Sequence, residues 1–192
     1  MGRRTKRKIQ KYKMKITSID DKEDLFAISD VVDYDIIEEF NKIDVETIEY
    51  IQCEFNYKNS PRRIIESFDN EIISELRRQI SNSVADINKK LGTSFGIVHP
   101  EHVQLWWDLP GFTSPLHIDN IGVTNAVQIY LGEADDKLGT VFYNSTNRND
   151  IRHRFKYKKN TGYVMFNNNN QYHSMEDIIT LNDKRISSYF II

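Results

Sequence analysis

The sequence has only one cysteine, Cys53, among 192 residues. One cysteine cannot form an internal disulfide framework, and it cannot supply a zinc site built from several thiolates. Structural disulfides belong to oxidising compartments, so this scarcity favours a reducing, cytoplasmic setting. We interpret Cys53 as a small, half-buried strand residue.

The sequence also lacks a long apolar run. A membrane-spanning helix needs about 20 predominantly apolar residues, and no stretch of that kind occurs. The twin arginine near the start has no apolar segment behind it, which argues against an export signal. Lys6 stands where a myristoylation signal has Ser or Thr. We therefore expect a cytoplasmic protein without a membrane partner.

Charge is unevenly distributed along the chain. Residues 1–15 carry eight basic side chains and no acidic one, so the net charge of −2 leaves −10 for residues 16–192. We expect residues 1–15 to form a flexible basic arm, although such an arm could also contact nucleic acid or another polyanion. The remaining length and a hydrophobic content of 39% suit one domain, residues 16–192.

The chain is rich in Ile, Asn and Lys, whose codons are AT-rich. This composition is typical of AT-rich genomes such as those of phages and streamlined bacteria. A phage gene would place the protein in the host cytoplasm. Nothing in the sequence indicates an oligomeric state.

The first half of the chain mixes helices and strands. Residues 24–32 and 47–55 alternate as strands do. Asp33 is a candidate N-cap for a short helix. A longer apolar stripe with three- and four-residue steps predicts a second helix, capped by Asp69 and ending before Gly92.

The second half changes to short β-branched and aromatic segments separated by turn signals. Among them, the asparagine run 167–170 is typical of a turn between two strands. Many short strands predict a sandwich, a barrel or a jelly roll. Helices followed by strands indicate an α+β fold, with residues 16–99 as helical and strand support and residues 100–192 as the β core.

One set of polar residues in the β half has the composition of a metal site. His117 and Asp119, in SPLHIDN, are two residues apart and would leave an extended strand on the same face. His173 follows in NNNNQYHSM. Two imidazoles and one carboxylate leave three positions open on an octahedral ion, which is the ligand set of non-heme Fe(II) oxygenases. A hydrogen-bonded polar cluster or a zinc site would use the same residues.

The order of these residues resembles the Fe(II)/2-oxoglutarate-dependent dioxygenases, and within them the prolyl-hydroxylase-like branch. The resemblance covers about residues 100–192. It is carried by HVQLWWDLPGFTSPLHIDN, AVQIYLGEADDKLGTVFYN, GYVMFNNNNQYHSM and KRISSYFII. It implies a double-stranded β-helix, or jelly roll, with the N-terminal helices packed on one sheet.

The resemblance also implies roles for particular residues. His117, Asp119 and His173 match the iron ligands of the family. Arg185, at the start of the last strand, matches the residue that holds the distal carboxylate of 2-oxoglutarate, and a planar guanidinium suits a carboxylate. Four further residues are candidates for the cosubstrate pocket, although each of them could be an ordinary strand residue: Tyr130, Gln128, Thr140 and Ser187.

The activity implied by the resemblance is hydroxylation of an unactivated C–H bond, with 2-oxoglutarate converted to succinate. It requires Fe(II), 2-oxoglutarate and O₂, with ascorbate as a supporting reductant. Asp119 favours hydroxylation, since the halogenases of the family lack the carboxylate ligand. Ile191 stands where the nucleic-acid demethylases have a second arginine, so nucleic acid is not the expected substrate.

The substrate itself is left open by the sequence. A protein or peptide side chain, such as a proline, is slightly favoured over a small molecule because of the prolyl-hydroxylase-like resemblance. A non-catalytic jelly-roll module that binds a metal or a ligand is the alternative from another functional class.

Overall fold

The computed structural model describes residues 13–54, 61–119, 125–166, 171–175, 177–181 and 183–192. Most of the expected basic arm and the asparagine run 167–170 lie outside the described residues, as does the side chain of Cys53. The described chain contains the strands β1 (Lys15–Ser18), β2 (Leu25–Ser29), β3 (Tyr50–Glu54), β4 (Pro61–Ile65), β5 (Gln104–Asp108), β6 (Asn125–Tyr130), β7 (Asp135–Tyr143), β8 (Ile151–Tyr157), β9 (Thr161–Phe166), β10 (Tyr172–Met175) and β11 (Arg185–Ile191), and the helices α1 (Tyr34–Asn41) and α2 (Glu71–Leu91).

The strands form two antiparallel sheets. The larger has the order β1-β2-β9-β6-β11-β5-β4-β3, and the smaller has the order β10-β7-β8. An isolated antiparallel bridge between His117 and His173 extends the smaller sheet beside β10. In the second half, β5, β6, β9 and β11 belong to the larger sheet, and β7, β8 and β10 belong to the smaller one. The chain therefore crosses repeatedly between two sheets, which is the arrangement of a jelly roll. The predicted α+β jelly-roll fold is confirmed.

The two helices begin at side-chain caps. The Asp33 carboxylate caps α1, as predicted. For α2, however, the cap is Asn70, whose side chain accepts hydrogen bonds from two backbone N–H groups of the first turn. The prediction of Asp69 was therefore one residue early. The helix ends at Leu91, before Gly92 as predicted, and the φ of 66° at Gly92 lies in the left-handed region that glycine adopts readily.

The helices cover the outer face of the larger sheet. Because side chains alternate along a strand, every second residue of the sheet faces the helices. One core cluster lies at this interface, formed by Ile73, Leu76, Ile80, Val84 and Ile87 of α2 with Leu105, Val127, Ile129, Val164, Ile186 and Phe190 of the sheet.

A second core cluster lies between the two sheets. It is built from the alternate, inward-facing side chains of the larger sheet and their counterparts in the smaller one. The same alternation turns the polar residues of β5, β6 and β11 into the space between the sheets. The main apolar members of this inner cluster are Ala126, Tyr130, Leu138, Phe142, Phe155, Tyr157, Tyr163, Met165 and Met175.

No helix in the described part of the chain has the length and apolarity to cross a membrane.

Gly162 of β9 lies opposite Ile129 of β6 and close to the β6 backbone. A Cβ atom at this position would lie 1.9 Å from the backbone oxygen of Gln128, so Gly162→Ala must push the two strands apart. We expect the substitution to lower the free energy of unfolding by about 2 kcal/mol, measured by chemical denaturation. Gly96→Ala is the control, because a Cβ there meets nothing within 4 Å. Equal stability of the two variants would contradict the expectation.

Candidate active site

The three predicted metal ligands converge between the sheets. The backbones of His117 and His173 face each other through two hydrogen bonds of 3.0 and 2.9 Å. The Nε2 atoms of both rings lie 3.6 Å from Oδ1 of Asp119. One donor atom from each residue lies within 4.8 Å of the other two. Two atoms 3.6 Å apart can both lie about 2 Å from one ion, so this set can hold a metal ion.

Both imidazole rings are oriented by backbone carbonyl groups. Nδ1 of His117 lies 2.7 Å from the Pro115 oxygen, and Nδ1 of His173 lies 2.8 Å from the Gln171 oxygen. A carbonyl oxygen can only accept, so the neutral rings carry their proton on Nδ1. The lone pair of each Nε2 is then available to a metal ion. The donor set therefore fits an ion.

Burial and neighbouring charges set the protonation of the three residues. Burial and the nearby His117 lower the pKa of His173. Burial raises the pKa of Asp119, but the neighbouring His117, His173 and Tyr189 stabilise its carboxylate and hold the pKa below the ordinary value. Burial lowers the pKa of His117, yet Asp119 and the Pro115 carbonyl raise it by more. An ionised Asp119 and a neutral His173 are the forms that bind metal.

Tyr189 supports Asp119, although the sequence analysis did not single it out. Its hydroxyl donates a hydrogen bond of 3.3 Å to Oδ2 of Asp119, while Oδ1 faces the two histidines. Its ring stacks on Trp106, with centroids 4.5 Å apart and an interplanar angle of 15°. Tyr189 lies four residues after Arg185 in β11, so strand alternation places it on the same face. That alternation was the available signal.

We expect Tyr189→Phe to weaken metal binding by about tenfold, because outer hydrogen bonds that orient a ligand typically contribute that much to affinity. The ring and its stacking on Trp106 are retained. Competition with a chelator measures the affinity, and Tyr50→Phe at the exposed Tyr50 is the control. If both variants bind the metal as tightly as the unmodified protein, the hydrogen bond does not support the site.

Arg185 lines the same cavity as the three ligands. The cavity has a volume of about 340 Å³. The guanidinium is buried; Nε donates to the Leu138 carbonyl at 2.8 Å, and Nη1 donates to Oδ2 of Asp108. A buried cation thus faces the space beside the three candidate metal ligands.

The four further pocket candidates lie close together in this region. Gln128 and Thr140 line the cavity. The Tyr130 hydroxyl donates to Oγ1 of Thr140 at 2.7 Å, and the amide of Gln128 donates to Oγ of Ser187 at 3.1 Å. The Tyr163 hydroxyl donates to the Gln128 side-chain oxygen at 2.7 Å. Tyr130 and Ser187 are therefore connected to the residues of the cavity wall.

Sequence reasoning missed two charged residues that lie beside Arg185. Asp108 ends β5, and Arg62 enters from β4, outside the segment that carried the family resemblance. Nε of Arg62 donates to Oδ1 of Asp108 at 2.5 Å. Alternation along β5 could have placed Asp108 on the inner face with Trp106, whereas no local pattern marks Arg62.

Solved structures of other proteins have a similar architecture, although sequence comparisons find no relative. No family model matches the sequence, and a search of curated proteins finds no match. Among solved structures, a prolyl-4-hydroxylase from Pseudomonas putida is 14% identical, with a TM-score of 0.60 over 87% of this chain and 91% of that chain.

Two further solved structures are similar. A prolyl hydroxylase from Trichoplax adhaerens, in complex with a peptide fragment of the hypoxia inducible factor oxygen degradation domain, is 12% identical, with a TM-score of 0.58 over 87% of this chain and 82% of that chain. HygX from Streptomyces hygroscopicus, with nickel, 2-oxoglutarate and hygromycin B bound, is 10% identical, with a TM-score of 0.52 over 86% of this chain and 81% of that chain. The chain shares the fold of these proteins, and the predicted resemblance is confirmed at that level.

Proposed function

We propose that the protein is a non-heme Fe(II)/2-oxoglutarate-dependent oxygenase that hydroxylates an unactivated C–H bond. One observation carries the proposal: the convergent donors of His117, Asp119 and His173 share a cavity with the buried guanidinium of Arg185. The ligand set alone would also suit zinc. A buried arginine beside it adds a binding partner for a carboxylate, which favours an oxo-acid cosubstrate.

The chain's residues have distinct tasks in this proposal. Nε2 of His117, Nε2 of His173 and Oδ1 of Asp119 bind the ion, and Arg185 pairs with the distal carboxylate of 2-oxoglutarate. When bound, Fe(II), 2-oxoglutarate and O₂ supply the oxidising chemistry, in which 2-oxoglutarate is converted to succinate and CO₂ and one oxygen atom enters the substrate. The ring of Trp106 lines the cavity and would help to exclude water from the reacting groups.

Gln128, Thr140, Tyr130 and Ser187 shape the cosubstrate end in this proposal. Gln128 and Thr140 present polar groups to the cavity. Tyr130 and Ser187 orient these two side chains through the hydrogen bonds described above. Such support holds a small ligand in one orientation rather than contributing most of the binding free energy.

For the substrate, we favour a peptide or protein side chain. The similar Trichoplax adhaerens enzyme was solved with a peptide. The net charge of −10 over residues 16–192 would attract a basic peptide, with an association rate that falls as salt is added. A small molecule is the second candidate, supported by the HygX structure with hygromycin B.

Incubation with peptide and metabolite extracts tests both parts of the proposal. The protein is loaded with Fe(II) and 2-oxoglutarate, succinate is measured, and mass spectrometry searches for oxygen addition. We expect succinate formation that His173→Ala abolishes, and oxygen addition to peptides. Oxygen addition to metabolites alone would overturn the peptide assignment. Binding of Fe(II) and 2-oxoglutarate without succinate formation in any extract would favour a non-catalytic binding module.

A further inference from the structure

Arg62, Asp108 and Arg185 form a row across three adjacent strands. In the strand register, Arg62 lies opposite Asp108, and Asp108 lies opposite Arg185. Asp108 is fully buried, and the two arginines are only 7% and 3% exposed. Oδ1 of Asp108 accepts from Arg62, and Oδ2 accepts from Arg185. One buried carboxylate is therefore shared by two guanidinium groups.

Because Arg62 and Arg185 share Asp108, the three side chains together carry a different net charge from a simple pair of Arg185 and Asp108. Arginine keeps its proton in proteins, so two guanidinium groups and one carboxylate leave one positive charge in excess. A pair of Arg185 and Asp108 alone would carry no net charge, and the carboxylate would repel a second carboxylate beside Arg185. Buried charges are screened by salt much less than exposed ones. Among these three residues, Arg62 therefore supplies the positive excess.

Aromatic rings fix the position of Arg62. Its guanidinium carbon lies 3.8 Å from the ring centroid of Trp106 and 4.3 Å from that of Phe112. Guanidinium groups are weakly hydrated and stack well on aromatic faces. The contact holds Arg62 against Asp108. Each oxygen of Asp108 then has its own arginine partner.

We propose that Arg62 is a positioning residue. It acts through Asp108 and keeps the Arg185 guanidinium able to bind a second carboxylate. By occupying Oδ1, Arg62 prevents Asp108 from pairing with Arg185 alone, and its charge offsets that of Asp108. The inference rests on the proposed function, because the carboxylate concerned is the distal one of 2-oxoglutarate. It adds two residues, Arg62 and Asp108, to the determinants of cosubstrate binding.

The test is calorimetric binding of 2-oxoglutarate to the full-length protein loaded with Mn(II). Arg62→Met removes the charge and retains an unbranched side chain. We expect it to weaken 2-oxoglutarate binding by about tenfold. Oxalate, which chelates the metal but has no distal carboxylate, should change by less than about threefold.

The double variant gives the decisive comparison. Adding Asp108→Asn to Arg62→Met restores one positive charge in excess, so we expect 2-oxoglutarate affinity to return to within about threefold of the unmodified protein. A purely structural role of Arg62 would not be rescued in this way, because a second buried substitution would only add damage. A double variant as weak as Arg62→Met, or weaker, would overturn the inference.

Two further outcomes are informative. If Arg62→Met does not fold, Asp108→Asn by itself decides, since it should bind 2-oxoglutarate at least as tightly as the unmodified protein; weaker binding would contradict the proposed role. Unchanged affinity in Arg62→Met would overturn this inference alone. Failure of the unmodified protein to bind 2-oxoglutarate would overturn the proposed function, and the inference with it.

Discussion

His173→Ala should abolish metal binding under conditions in which the unmodified protein is saturated. The substitution removes one of the three proposed ligands, a histidine whose ring is already oriented by the Gln171 carbonyl. Loss of a residue that merely orients a ligand typically costs 10–100-fold in affinity, so loss of the ligand itself should cost more than about a hundredfold. Metal analysis after exposure to Fe(II) measures the loss. The visible absorption band expected with Fe(II) and 2-oxoglutarate in the absence of oxygen should also disappear.

The controls separate ligand loss from general damage. His102 is an exposed histidine in the segment before β5, and His102→Ala should retain both the metal and the absorption band. The ring of His173 stacks on Phe142, so His173→Gln, which fills more of the same space than alanine, should show the same loss of metal. Retention of metal and band by both His173 variants would show that this histidine is not a ligand.

Arg185→Ala should weaken 2-oxoglutarate binding by about a hundredfold, because a charge-assisted contact to the distal carboxylate is lost in a buried site. Metal binding should persist, since Arg185 is not among the three proposed ligands. The free energy of unfolding should fall as well, by about 1–3 kcal/mol, because Oδ2 of Asp108 and the Leu138 carbonyl lose their buried donor while Arg62 still pairs with Oδ1. Calorimetric titration with 2-oxoglutarate and chemical denaturation measure the two effects.

Two further variants show whether the loss of affinity depends on the shape of the guanidinium and on this particular arginine. Arg185→Lys retains the charge without the planar fork, so its affinity for 2-oxoglutarate should fall between those of Arg185→Ala and the unmodified protein. Arg78, an exposed arginine paired with Glu75 on α2, serves as the matched site, and Arg78→Ala should leave 2-oxoglutarate binding unchanged. An Arg185→Ala protein that binds 2-oxoglutarate normally would remove Arg185 from the cosubstrate site.

The site illustrates where sequence patterns are informative. His117 and Asp119 are two residues apart, so strand geometry alone predicts that they share a face. The alternation of β11 likewise predicts that Arg185 and Ser187 face the same way, and it extends to Tyr189. Patterns of this kind are short-range: they specify the face of one strand, not the neighbour that the face will meet.

Helix ends show the limit of local patterns. Asp69 and Asn70 are both good N-cap residues, and they are adjacent. The backbone places the cap at Asn70, whose side chain reaches two N–H groups of the first turn. At Asp33 the same reasoning led to the correct residue.

By itself, the sequence determined the α+β class, the β-rich second half, and the order of the candidate ligands and Arg185, because these depend on periodicity and spacing along the chain. Only the tertiary structure decided that Arg62, from a strand far from Arg185 in sequence, shares Asp108 with it. Only the tertiary structure paired Tyr189 with Asp119. The physical reason is that strand register and sheet order bring these side chains together, and both are set by the packing of the whole sheet.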